Sequence, residues 1–134
     1  MMIRQILFVA TVAIFSPAPA SALTCAPGPW IVFFDENAAY ADRNARDVLN
    51  DVSRAIGSCG SPRVMLEGHT DTQENRRLAF DRLDMVRSYL EAHGMPHRSI
   101  TVRSFGSRHP RIARKDDMTE RQNRRVEIYF APLM

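Results

Sequence analysis

The stretch that most constrains the fold of this chain is an apolar segment that leads through a short polar loop into a helix. Residues 64–66 are apolar and predict a buried strand that ends at Gly68. The loop carries Thr70 and Asp71, and the helix is predicted to begin near Asn75. Loops held between rigid elements are common positions for binding groups, so this loop is the first candidate for a functional site.

One arginine lies on the predicted inward face of that helix. The residues of this face recur at spacings of four, three, four and four: Asn75, Ala79, Arg82, Val86 and Leu90. A guanidinium stays protonated and is costly to bury without an anion, and Asp71 is the obvious local partner. The pair could be structural, locking loop to helix. Alternatively, the two charges jointly receive a zwitterionic ligand, Asp71 taking its ammonium and Arg82 its carboxylate.

Three separated motifs resemble the OmpA C-terminal-like domain, the family of the peptidoglycan-associated lipoprotein and MotB. The motifs occur in the family's order, and the resemblance covers roughly residues 31–130. They are Gly68-His69-Thr70-Asp71, then Asn75-x-x-Leu78-Ala79-x-x-Arg82-Leu83-x-x-Val86, and finally Asn123-Arg124-Arg125-Val126-Glu127-Ile128.

The resemblance implies non-covalent binding of peptidoglycan through the diaminopimelate of its peptide stem, without catalysis and without a cofactor. It implies that Asp71, in the Thr70-Asp71 motif, holds the ammonium of diaminopimelate and that Arg82 holds its carboxylate. The family's helix-start asparagine matches Asn75. The pocket-edge motif matches Asn123, Arg124 and Arg125. Outer-membrane or other envelope proteins are further partners that the family suggests.

The loop after Asp71 departs from the family pattern. Only Thr72, Gln73 and Glu74 separate Asp71 from Asn75, about four residues fewer than the family usually has, and Glu74 is expected to add a negative charge at the rim of the pocket. A small displacement of the loop can abolish a bidentate contact. An alternative is therefore a structural or interaction domain whose pocket has degenerated and no longer binds the wall.

The amino terminus has the three parts of a secretory signal peptide in residues 1–22. Arg4 precedes an apolar run at residues 6–15, and small residues lead to predicted cleavage after Ala22. The apolar run is shorter than the roughly 20 residues of a membrane span, although a retained anchor is an alternative. Lipidation at Cys25 is another alternative, and the residues before Cys25 favour it less. We expect a lead-in at residues 23–29, an OmpA-like domain at residues 30–131, and a periplasmic location associated with the wall or outer membrane.

Export favours a disulfide between Cys25 and Cys59. It would close about 35 residues and contribute about 3–4 kcal/mol by loop entropy; two free thiols are the alternative. The net charge of +3 falls to +2 once Arg4 is removed, a mild excess that does not indicate nucleic-acid binding. Aromatic residues are not interleaved with the arginines at residues 103–115 in the way that base stacking would require.

The element order β-α-β-α-β-β predicts a two-layer α/β sandwich, with two helices packed on one mixed four-stranded sheet. The first strand, residues 30–34, is expected to be buried on both faces, and residues 35–37 to start the first helix. Strands joined through helices favour parallel pairing among the first three. In the third strand, Ile100 and Val102 are expected to point inward.

Other chemistries find little support in the sequence. Gly94 and Pro96 interrupt the helix that would align His93 with His97, so no metal site is predicted. A hydrolase using Asp71 or Glu74 as base and His69 as proton shuttle lacks a recognisable nucleophile. His69 is instead expected to shape the loop through a hydrogen bond.

Overall fold

Strands and helices follow one another in the predicted order. The computed structural model describes residues 28–60, 62–115 and 117–131. The elements are β1 (Trp30–Phe33), α1 (Arg43–Ser58), β2 (Arg63–His69), α2 (Leu78–Ala92), β3 (Ile100–Gly106) and β4 (Arg125–Ala131), with short 3-10 turns at His97–Ser99 and Arg121–Asn123.

The four strands form one mixed sheet in the order β1-β4-β2-β3. β4 lies antiparallel to both β1 and β2, and β2 lies parallel to β3. The predicted two-layer sandwich is therefore confirmed. Parallel pairing is correct for β2 and β3 but wrong for β1, because the last strand of the chain inserts between β1 and β2.

The core lies between the sheet and the two helices. α1 contributes Ala45, Leu49 and Val52, and α2 contributes Leu83, Val86 and Leu90. They pack against alternate residues of the inner strands: Val64, Leu66, Val126, Ile128 and Phe130. This alternation leaves the other side chains of β2 and β4 on the opposite face of the sheet.

For each of the two edge strands, β1 and β3, one expectation from the sequence is wrong. β1 is not buried on both faces: Val32 is buried, whereas Ile31 and Phe33 are only half-buried. In β3, Ile100 packs against the core but Val102 is 38% exposed, so its predicted inward position is wrong. An edge strand has a neighbour on one side alone, so its side chains are less completely covered than those of a central strand.

Both helices begin later than predicted. α1 starts at Arg43, where the side chain of Asp42 accepts a hydrogen bond from the Ala45 backbone N–H at 2.8 Å; residues 35–37 belong to the preceding connection. α2 starts at Leu78, and Asn75 stabilises the turn before it by accepting from the Arg77 N–H at 2.9 Å.

Gly68 allows α2 to pack closely against β2. A Cβ atom at this position would lie 2.7 Å from Cγ of Leu83 and 2.8 Å from the carbonyl oxygen of Ala79. The bare backbone of β2 therefore accommodates the first turns of α2. This packing carries Arg82 to the end of β2, beside the loop that follows it.

The predicted amino-terminal features lie largely outside the described residues. These include the signal peptide at residues 1–22 and Cys25, so cleavage after Ala22 and the Cys25–Cys59 disulfide stay predictions. Cys59 itself follows α1 as its C-cap, partly buried against the core. Within the described residues, no helix has the length and apolar character needed to cross a membrane.

Candidate functional site

Arg82 is completely buried, and each of its five N–H groups has an acceptor within the protein. Nε donates to the carbonyl oxygen of Ala38 at 2.9 Å. Nη1 donates to the carbonyl of His69 at 3.1 Å and to Oε2 of Glu74 at 2.8 Å. Nη2 donates to the carbonyl of Asp35 at 3.3 Å and to Oε1 of Glu74 at 2.5 Å. A guanidinium has five donors, so the hydrogen bonding of Arg82 is complete without a ligand.

Glu74 is the anion that Arg82 binds. Its side chain is fully buried, and its two oxygens face the two terminal nitrogens of Arg82 in a bidentate fork. Its oxygens also accept from the backbone N–H of Asn37 at 2.9 Å and of Asp71 at 3.1 Å. The prediction that Asp71 is the partner of Arg82 is therefore wrong. The expected position of Glu74 at the rim of the pocket is also wrong. The short loop after β2 turns inward and places this side chain beneath it.

Asp71 pairs instead with an arginine from the third sequence motif. It is 1% exposed, and its Oδ2 accepts from Nη1 of Arg124 at 3.0 Å and from the backbone N–H of Glu120 at 3.3 Å. Its Oδ1 accepts from the backbone N–H of Gln73 at 2.9 Å, which closes the loop. Nε of Arg124 donates to the carbonyl oxygen of Phe34 at 3.1 Å, so this pair joins β2 to the end of β1.

The three sequence motifs thus converge on two buried ion pairs. Glu74–Arg82 and Asp71–Arg124 are linked through the hydrogen bond from the Asp71 backbone to Glu74. The guanidinium of Arg82 also lies over the ring of Phe34, with the ring centroid 5.1 Å from the guanidinium carbon. Each arginine has one carboxylate partner, so the formal charge of the cluster is balanced.

Thr70 and Asn75 differ in their relation to this cluster. Thr70 is buried beside it, and its hydroxyl lacks a hydrogen-bond partner within the described residues. Its backbone N–H donates to the carbonyl oxygen of Gly106 at 2.9 Å. Asn75 is exposed, so its predicted place on the buried face of α2 is wrong.

Asn123 and Arg125 hold the long loop between β3 and β4. The side-chain amide of Asn123 makes two hydrogen bonds to the backbone of Ile112, at 2.7 and 2.9 Å. Arg125 donates to the carbonyl oxygen of His109 at 3.2 Å and to Oε1 of Glu127 at 2.6 Å. Both side chains are buried, and these contacts position the loop that covers Asp71.

His69 is a buried packing residue. Its ring stacks on Phe105 with centroids 5.3 Å apart, and neither ring nitrogen has a hydrogen-bond partner in the described part of the chain. Burial, aided by the positive charge of Arg125, lowers the pKa of His69 to about 4. The imidazole is therefore neutral at physiological pH. The expectation that it shapes the loop by hydrogen bonding is wrong for the side chain, since its carbonyl oxygen makes that contact with Arg82.

A single group of possible metal ligands occurs among residues 28–60, 62–115 and 117–131. Its ligand atoms all lie within 4.8 Å of one another, and its members are Glu67, His69 and Glu127. Both oxygens of Glu127 already accept hydrogen bonds, from Arg125 and Tyr129, and Arg103 lies 3.8 Å from Glu67. Two arginines therefore already balance the two carboxylates.

The groups considered for hydrolysis are not arranged for acid–base chemistry. Asp71 and Glu74 are each hydrogen-bonded to an arginine and closed to solvent. A general base must reach the proton that it removes, and the side chains of Asp71 and Glu74 are at most 1% exposed.

The fold and the convergent motifs together define a small α/β domain of the OmpA type. The sequence model of the OmpA family matches residues 33–125, and the chain belongs to this family. It is 29% identical over 103 residues to a peptidoglycan-associated lipoprotein of Buchnera aphidicola, covering 74% of this chain and 60% of that protein. It is 32% identical over 101 residues to the outer-membrane lipoprotein YfiB of Pseudomonas aeruginosa, covering 72% and 60%. The chain thus spans about three fifths of the length of these two relatives.

Solved structures show the same fold. The peptidoglycan-associated lipoprotein from Burkholderia pseudomallei superposes with a TM-score of 0.68 at 19% identity, over 84% of this chain and 98% of that chain. The family resemblance and the fold class predicted from sequence are therefore both confirmed.

Proposed function

We propose that this domain is exported and binds peptidoglycan non-covalently through the diaminopimelate of the peptide stem, linking the cell envelope to the wall. Relatives named as peptidoglycan-associated lipoproteins support the wall as the partner. The observation that carries the proposal is the carboxylate of Glu74 held in the fork of Arg82, at 2.5 and 2.8 Å. It supports Arg82 as a carboxylate receptor located where the family motifs converge.

Binding at this receptor proceeds by exchange of one carboxylate for another. The stem carboxylate replaces Glu74 on Arg82, and the stem ammonium approaches Asp71. Such an exchange leaves no buried charge unpaired, which would otherwise cost several kcal/mol. Glu74 can leave because its loop lies at the surface, with Thr72, Gln73 and Asn75 exposed. Thr70, Asn123 and Arg125 would border the opened pocket.

The test is retention of the purified mature protein by diaminopimelate-containing sacculi. The parent should sediment with sacculi, and Asp71→Ala and Arg82→Ala should each release it. Glu74→Gln should increase retention severalfold, because a neutral amide competes less well than a carboxylate for a guanidinium. Circular dichroism of each variant checks that it is folded. Retention of both alanine variants at the parent's level would show that the assigned pocket is wrong.

Arg82 and Asp71 each already have a protein partner of opposite charge. This pairing also favours a second candidate function, a structural or interaction domain without wall binding. In that case the parent would fail to sediment with sacculi at any moderate salt concentration. A hydrolase would instead release soluble muropeptides over time, and we expect none.

Export is tested separately by the mass of the protein recovered from the periplasm. Cleavage after Ala22 and a Cys25–Cys59 disulfide each change the mass by a defined amount, as does lipidation at Cys25. The expected species starts at Leu23, carries no lipid, and gains two hydrogens on reduction.

A further inference from the structure

An open groove lies beside the two closed ion pairs, between the start of α2 and the end of β3. Its volume is about 360 Å³. Its lining combines positive charge with aromatic surface and includes Arg76, Arg77, Phe80, Phe105, Gly106 and Arg108. Phe80 is 56% exposed, which is unusual for so large an apolar side chain.

The three groove arginines differ from most of the other described arginines, because no described acidic residue is paired with them. Within the described residues, none of Arg76, Arg77 and Arg108 forms an ion pair, whereas Arg87 pairs with Asp84 on the same helix as Phe80. Three positive charges around one concave surface concentrate positive potential there. Among the described residues, no carboxylate lines the groove to compete with an entering anion.

Two of these arginines are held in place by the backbone of β3. Arg108 donates from Nε to the carbonyl oxygen of Phe105 and from Nη2 to that of Ser104, both at 3.1 Å. Carbonyl groups orient the guanidinium without cancelling its charge, and its remaining N–H groups stay available. The aliphatic part of Arg76 packs over Gly106, where a Cβ would lie 3.2 Å from its Cγ. The groove is therefore partly organised before any ligand arrives.

The groove is also connected to the loop that carries Asp71 and Glu74. Gly106 accepts the hydrogen bond from the backbone of Thr70, the residue before Asp71. Arg76 and Arg77 follow Glu74 in the same loop. A peptide lying in the groove would thus extend directly from the site of Glu74 and Arg82.

We infer that this groove binds the carboxylate groups of the peptidoglycan peptide stem, with stem methyl groups against Phe80. The inference rests on the proposed function, and it assigns the part of the stem outside the Arg82 pocket. A wall peptide carries several carboxylates and short apolar side chains, which matches three guanidinium groups that form no ion pair with the described residues and lie beside exposed aromatic surface. Unlike the Arg82 pocket, the groove is accessible while Glu74 stays in place, so it makes the first contact.

The experiment measures binding of the mature protein to purified sacculi over a range of salt concentrations. Arg77→Ser and Arg108→Ser should each weaken binding about fivefold, and the double variant more strongly, with a shallower salt dependence. Phe80→Ala should weaken binding at all salt concentrations. The control is Arg98→Ser, which removes one exposed positive charge at the opposite end of β3 and should bind as the parent does.

The outcomes separate the two claims. If the parent is retained and all groove variants are retained equally, the groove assignment is overturned while the proposed function stands. If Arg98→Ser weakens binding as much as Arg77→Ser, the effect is one of net charge and the assignment is again overturned. If the parent is not retained, both the proposed function and the groove assignment fail.

Discussion

Glu74 occupies both terminal nitrogens of Arg82, with oxygen–nitrogen distances of 2.8 and 2.5 Å and no solvent exposure of either side chain. The pair connects the loop after β2 to the inward face of α2. Because a protein carboxylate already fills the anion site, this contact has two roles to test. It stabilises the fold, and it competes with any carboxylate ligand.

Removing Arg82 should destabilise the domain strongly. Arg82→Met leaves the buried carboxylate of Glu74 without its counter-charge, a change that typically costs about 3–5 kcal/mol. Arg87→Ala, on the same helix, breaks a largely exposed pair with Asp84 and should cost less than about 1 kcal/mol. Urea unfolding of both variants measures the difference, and equal losses would contradict the structural role of the Glu74–Arg82 pair.

A small carboxylate should rescue the loss of Glu74. Glu74→Ala leaves a cavity lined by the guanidinium of Arg82, which acetate can enter and neutralise. We expect acetate to raise the melting temperature of this variant but not that of the parent. Chloride at equal ionic strength serves as the control for screening. If acetate and chloride act alike, the anion site has collapsed or is inaccessible.

The free energy of unfolding should fall as the pH is lowered from 6.5 towards 4, because burial disfavours protonation of His69 in the folded protein. The pKa of His69 is about 4 in the folded protein against 6.5 for a free imidazole. Between these values the unfolded chain binds the proton and the folded one does not, so stability present above pH 6.5 is lost towards pH 4. The loss attributable to this residue is about 3 kcal/mol.

His69→Phe isolates this contribution because it retains a ring against Phe105 but cannot be protonated. The difference in unfolding free energy between the parent and the variant should change across this pH range. Parallel stability curves for the two proteins would exclude His69 as the source, since carboxylates that titrate at low pH affect both alike.

Gly68 should be much less tolerant of substitution than Gly57. Gly68→Ala places a Cβ 2.8 Å from the backbone oxygen of Ala79, and such overpacking typically costs about 1–3 kcal/mol. Gly57 lies near the end of α1 with nothing within 4 Å of its ideal Cβ. Gly57→Ala should therefore stabilise the domain by up to about 1 kcal/mol. Thermal unfolding of the two variants compares them directly; equal melting temperatures would mean that α2 does not pack tightly on β2.

Hydrophobic periodicity predicted the architecture well because it reflects burial over many residues. The inward positions of Ala79, Val86 and Leu90 in α2 are all confirmed. Pairing direction was less predictable. Parallel pairing of β1 failed because the position of β4 depends on contacts between residues nearly a hundred positions apart, which local patterns do not contain.

The sequence by itself determined the family, the two-layer fold and the burial of an arginine at position 82, because these depend on motif order and side-chain periodicity. Only the tertiary structure decided which acid meets which arginine. Asp71 forms an ion pair with Arg124, 53 positions away, and the shortened loop places the carboxylate of Glu74 against Arg82. Ion pairs between buried side chains depend on the directions and distances of a few atoms, and these are fixed only when the strands and helices have packed together.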